Sequence, residues 1–161
     1  MAYHKSHLGG DERDRFNAGD GPTVMSVDGW RLGMGICKDT GVSEHTTATA
    51  QLGVDVYVAG LVHRPEEFEV QDARGRRIAA ACRSYVAFAS FAGPTGGGYD
   101  ATAGQSTIWS PDGRVLARAS DMPGEIAGPA ELTRPVTQAP RGASLEGSPH
   151  TSRPAGAVIG M

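Results

Sequence analysis

Apolar and polar positions change period several times along this chain, and each change marks an element. Two short runs at 23–27 and 31–36 have strand character. Between them lies Asp28-Gly29, the dipeptide that favours a tight hairpin because both central positions of such a turn take positive φ. The second run ends at Cys37, after which the chain turns polar at once. Ser43-Glu44 opens a predicted helix reaching about residue 52, with Ser43 as its cap and Ala48 and Leu52 on one face. Residues 54–61 form a nearly continuous apolar run, the mark of a strand covered on both faces. His63-Arg64-Pro65 breaks the pattern. A second helix is expected over about 66–83, weakened in its middle by Gly75 but carrying Ile78, Ala81, Cys82 and Tyr85 at helical spacing. Residues 85–91 read as another buried strand, 93–104 as a Gly-rich loop, and 105–109 with 114–119 as a hairpin about Pro111-Asp112-Gly113. At the start of the chain, 3–8 read as a strand and 9–21 as a polar loop.

Strand, helix, strand, helix, strand is the order of an α/β fold, here with a hairpin added at its end. The character shifts near residue 133. From there to 161 the chain holds four Pro, four Gly and no aromatic residue, too little apolar surface to offset the entropy of ordering. One domain over 1–132 and a disordered tail over 133–161 are therefore expected.

Composition narrows the classes of function. With 39% hydrophobic and 20% charged residues the chain suits a globular fold. A net charge of −3, with aromatics not interleaved with Lys or Arg, argues against a nucleic-acid partner. No run approaches the length of a membrane span and the N-terminus has no leader-like apolar segment, so no membrane association and a cytoplasmic location are expected. Two cysteines, Cys37 and Cys82, fit a reducing compartment better than a disulfide framework. Thirteen of the fifteen basic residues are Arg, which sets Lys5 and Lys38 apart as the only lysines.

The candidate chemistry centres on Cys37. A thiol at the end of a strand, followed by a sharp turn and a helix, is held at the rim of a sheet beside the next backbone N–H, as a nucleophile would be. The local pattern fits a small buried hydrophobe equally well. Cys82, on the apolar face of the second helix, reads as core. His4, His7, His45 and His63 match no compact ligand spacing, so no metal is expected. The glycines of 93–98 are followed by no Gly-Lys-Ser/Thr and read as a loop at a pocket mouth. Gly104-Gln105-Ser106-Thr107-Ile108 fails the serine-elbow pattern, which needs Gly where Ile108 stands.

Three stretches, taken together, resemble the carbon–nitrogen hydrolase (nitrilase) superfamily. Tyr3-His4-Lys5-Ser6-His7-Leu8 is similar to its lysine-bearing Y-[RH]-K-x-H-L stretch, and Gly35-Ile36-Cys37-Lys38-Asp39 to its nucleophile turn. Gly104 to Ile108 with Ser110-Pro111-Asp112-Gly113 resembles its late hairpin. The resemblance runs from Tyr3 to about Leu132. It implies the C-terminal half of a four-layer αββα sandwich, with the N-terminal half missing. It also implies a small-molecule amide, carbamoyl or nitrile substrate, attacked by Cys37 through a thioester-type intermediate without any cofactor. Of the family's Glu-Lys-Cys set, Lys5 and Cys37 have counterparts; the Glu does not. Lys5 would support the thiolate and the oxyanion, the Lys38 backbone N–H would be a second donor, and Glu12 would orient Lys5, a place for which Asp11 and Asp14 compete. Glu44 matches a structural Glu of the family. Departures at Lys38, at Ala81-Cys82 and at Ser90 bear on specificity. The expected activity of this chain is accordingly impaired. Rival readings are a non-catalytic remnant or binding module of the same fold and an amide-forming acyltransferase. An uncovered sheet face would make the protein a homo-oligomer.

Overall fold

The computed structural model describes residues 2–133. Its centre is a six-stranded sheet in simple sequence order. β1 (Val24–Val27) and β2 (Trp30–Ile36) pair antiparallel. The turn between them holds Asp28 at φ 49° and Gly29 at φ 79°, as the dipeptide requires. β2, β3 (Val56–Leu61) and β4 (Tyr85–Ser90) run parallel, and β5 (Thr107–Trp109) and β6 (Val115–Arg118) continue the sheet antiparallel. Parallel neighbours need crossovers, and α1 (Ser43–Gln51) and α2 (Phe68–Cys82) provide them. No helix among the described residues is long and apolar enough to cross a membrane.

The core lies between these helices and one face of the sheet. Tyr57, Ala59 and Leu61 from β3, Val86 and Phe88 from β4, and Trp109 from β5 meet Ile78 and Ala79 of α2. Trp109 and Phe88 pack edge to face with centroids 5.0 Å apart. Gly75 belongs to this packing. A Cβ there would lie 2.7 Å from the Trp109 ring, so the residue that weakens the helix by propensity lets the indole in.

Several sequence expectations change. Residues 3–8 do not form a strand: the His7 N–H donates to the Asp39 carboxylate and the Lys5 carbonyl accepts from Gly19, so no ladder forms. Ser43 is the first helical residue rather than the cap; Val42 caps α1, with its carbonyl accepting from the Thr46 amide and hydroxyl. The buried face of α1 is His45, Thr46 and Thr49, while Leu52 lies exposed beyond its end. α2 stops at Cys82, because Arg83 takes the left-handed conformation at φ 51°, and Tyr85 therefore opens β4 instead of lining the helix.

The run over 54–61 is helix-covered on one face only. Pairing puts Leu32, Met34 and Ile36 beside Val56, Val58 and Gly60 on the opposite face. There Met34, Ile36, Val58 and Gly60 floor an apolar trough of about 750 Å³, walled in part by Ile126 and Ala127 of the segment that follows β6. Farther along, Ala130 and Leu132 reach the strand residues Trp30, Leu32 and Val56. The Tyr85 hydroxyl donates to the Thr133 carbonyl at 3.0 Å, which ties this segment down. The expected disordered tail lies, apart from Thr133, outside the described residues.

Candidate active site

β2 delivers Cys37 to the C-terminal end of the parallel strands, where open α/β sheets place their ligand crevices. Cys37 itself has φ 44°, an uncommon conformation for a residue with a Cβ, and it opens a short 3-10 turn, Cys37–Gly41. Side chains of the turn hold that conformation. The Thr40 hydroxyl donates to the Cys37 carbonyl at 2.7 Å, and the Ile36 N–H donates to Asp39 Oδ2 at 3.0 Å. The thiol lies 3.8 Å from the Val62 carbonyl oxygen.

Cys37 shares a pocket of about 660 Å³ with Lys5 and Glu12, walled by Ile36, Leu61, Phe91 and Tyr99. The Lys5 ammonium donates to both Glu12 oxygens, at 2.7 and 2.6 Å, and the Gly9 N–H donates to the second. The Lys5 ammonium, followed by the Gly9 amide, holds the Glu12 carboxyl below the usual carboxylate range. Asp11 and Asp14, equally placed in the sequence, are exposed. The Lys38 ammonium is committed elsewhere, donating to the Leu8 carbonyl at 2.7 Å. Glu44 is exposed on α1. Tyr99, from the Gly-rich loop, has Arg64 stacked on its ring at 4.9 Å. Cys82 is half-buried beside the core, its thiol 3.7 Å from the Thr46 carbonyl, and burial pushes it up to about 11.

Two polar clusters beside the pocket escaped the sequence reading. In one, Gln71 Oε1 accepts from the Ser90 hydroxyl at 2.9 Å and lies 3.1 Å from His63 Nδ1, while Arg74 donates to His63 Nε2. The other joins Tyr3, His7, Asp39, His45 and Tyr57 at the Cys37–Gly41 turn. The available signal was the acidic residue two positions after Cys37; its partners lie up to 36 residues away. The four histidines considered as metal ligands are dispersed: His7 rests on Asp39, His45 lies between two tyrosines, His63 is in the Gln71 cluster, and His4 is exposed.

The carbon–nitrogen hydrolase family model matches residues 1–138, which is most of the chain. The chain belongs to the carbon–nitrogen hydrolase family. Among curated relatives, it is 34% identical over 120 residues to the "Hydrolase in pqqF 5'region" of Pseudomonas protegens, covering 73% of this chain and 41% of that protein. It is 33% identical over 129 residues to an (R)-stereoselective amidase of Pseudomonas sp, covering 74% and 43%. A solved structure of a mutant amidase from Nesterenkonia sp. AN1, with acrylamide added at its active-site cysteine, aligns at TM-score 0.65 and 25% identity over 81% of this chain and 51% of that one. The chain thus spans about half the length of the relatives it matches. Its one helix layer on one sheet layer corresponds to half of the family's four-layer αββα sandwich.

Proposed function

We propose that this chain carries the cysteine and lysine of a carbon–nitrogen hydrolase site acting on small, non-peptide amides, carbamoyl compounds or nitriles. The observation that carries this reading is that Cys37 and the Lys5–Glu12 pair, far apart in sequence, line one pocket at the end of the parallel strands. With an amide, Cys37 Sγ attacks the carbonyl carbon. A C–S bond forms, the C–N bond breaks, the amine leaves with a proton, and water then releases the acid from the thioester. The developing oxyanion is met by the Lys5 ammonium and the backbone N–H of Lys38. Glu12 acts as a positioning residue, since both its oxygens are taken up by Lys5 and Gly9.

Among the described residues Glu12 is the one carboxylate lining this pocket, which leaves no free base beside Cys37. General base catalysis contributes roughly 10²- to 10⁴-fold, so the chain by itself is expected to label at Cys37 but to turn over slowly. Two free thiols suit a reducing, cytoplasmic setting.

The test uses the 161-residue protein with acrylamide, the probe seen on the Nesterenkonia amidase. Peptide mapping should find one added acrylamide on Cys37, with Cys82 unmodified, and little release of ammonia from simple amides. Absence of addition at Cys37 would overturn the reading in favour of a binding module built on the same fold. Robust turnover abolished by Cys37→Ala would keep the hydrolase and require a base other than the family's Glu.

A further inference from the structure

Asp39 is fully buried, yet its carboxylate accepts four hydrogen bonds. Oδ1 takes the backbone N–H of His7 at 2.8 Å and the His7 ring Nδ1–H at 3.1 Å. Oδ2 takes the Ile36 N–H at 3.0 Å and the Tyr3 hydroxyl at 2.7 Å. An ionised carboxylate only accepts, so the single proton of the Tyr3 hydroxyl is spent on it. The Tyr3 oxygen can then only accept from His45 Nε2, 3.0 Å away, which places the imidazole hydrogen on Nε2. Burial lowers the His45 pKa despite the attraction of Asp39, which favours the neutral ring with Nδ1 as its acceptor. That acceptor faces the Tyr57 hydroxyl at 3.3 Å. Tyr57 has no exposed surface, and its hydroxyl lies directly beneath Gly35, where a Cβ would stand 2.2 Å away. Proton donation therefore runs one way, from Tyr57 to His45 to Tyr3 to Asp39.

We propose that Asp39 is the positioning residue of the site: through Tyr3 and His7 it clamps the Lys5-bearing segment to the nucleophile turn, and through Tyr3 it fixes the tautomer of buried His45. This rests on the reading of Lys5 and Cys37 as one site. The two grips straddle Lys5 in the sequence, and the carboxylate they hold lies two residues beyond Cys37. The segment has no sheet ladder to place it, so its register against the turn is set by side chains. Because the same carboxylate also binds the Ile36 N–H, a shift of the turn and a shift of the lysine are mechanically the same event.

Two measurements test this on the intact 161-residue protein, and neither needs turnover. Imidazole ¹⁵N NMR should show His45 as the Nε2–H tautomer. In Tyr57→Phe the Nε2–H keeps the Tyr3 oxygen as its acceptor, so the tautomer should be unchanged. An Nδ1–H tautomer in the native protein or in Tyr57→Phe would overturn the assigned direction of the chain. The second is a double-mutant cycle on the rate of Cys37 alkylation by iodoacetamide. Lys5→Met should slow alkylation several-fold in the native background and have no effect beside Asp39→Asn, with Tyr3→Phe as a milder background should Asp39→Asn fold poorly. Unchanged Cys82 labelling reports an intact fold. An equal Lys5→Met effect in all backgrounds removes the clamp and leaves the site reading standing. No Lys5→Met effect even in the native protein removes the site reading, and the clamp with it.

Discussion

Three side chains define what this surface can do, and each owes its character to its neighbours. Lys5 is held by Glu12, whose carboxyl is lowered chiefly by that ammonium. A group whose folded pKa is depressed contributes stability above its unfolded pKa, near 4.3 for Glu, and loses it as pH falls through the folded value. The tie is thus complete at neutral pH. As pH falls through the lowered Glu12 value, the Gly9 amide, which donates to Glu12, should lose protection from hydrogen exchange before the sheet amides do. Glu12→Ala should expose Gly9 at all pH values; retained protection in that variant would mean the loop is held by something else. Glu12 is more than a third exposed, so the effect on global stability should be small. The two thiols should also separate. Cys37 lines an open pocket, whereas Cys82 must be deprotonated against burial. Iodoacetamide near neutral pH should therefore modify Cys37 well before Cys82, and equal rates would mean that the Cys37 pocket is not formed.

Among the elements, α2 shows how packing overrides propensity. An alanine at position 75 would be the better helix former by about 1 kcal/mol. Its Cβ would, however, press on the Trp109 indole, which also packs edge to face against Phe88. Overpacking of this kind costs about 1–3 kcal/mol, so Gly75→Ala should lower Tm even though it favours the helix. An unchanged or raised Tm would show that the indole can move aside. α1 makes the complementary point with a polar buried face. Its Thr46 and Thr49 hydroxyls donate to carbonyls of the preceding turn, and His45 is bonded by Tyr3 and Tyr57, so burial leaves these groups paired.

For the molecule as a whole, the open sheet face is the dominant fact. One face is covered by two helices, and the other is an apolar trough crossed only in part by the segment after β6. We expect this face to drive association of the 161-residue chain, since large apolar patches rarely remain bare. Light scattering should give more than one chain per particle, and Met34→Asp, at the floor of the trough, should shift the particles toward monomer. A monomer at high concentration, or association insensitive to Met34→Asp, would place the contact elsewhere.

Much of the architecture was legible in the sequence because it is written locally. The Asp28-Gly29 turn, the order of strands and helices, the Pro111-Asp112-Gly113 hairpin and the place of Cys37 at a strand end follow from periodicity and turn chemistry within a few residues. The pairing of Lys5 with Glu12 lies within the same range, seven residues apart. What the sequence could not show involves partners from distant parts of the chain. Residues 3–8 have strand-like character but no strand to pair with, because their backbone bonds go to Asp39, Gly19 and Lys38. The face that α1 buries is chosen by Tyr3 and Tyr57, and the need for Gly75 by Trp109. Period and turn signals report which elements form. Which side chains meet between them is decided only when the sheet closes the distance, since an unpaired buried polar group or an overlapping ring costs as much as a helix or a turn can supply.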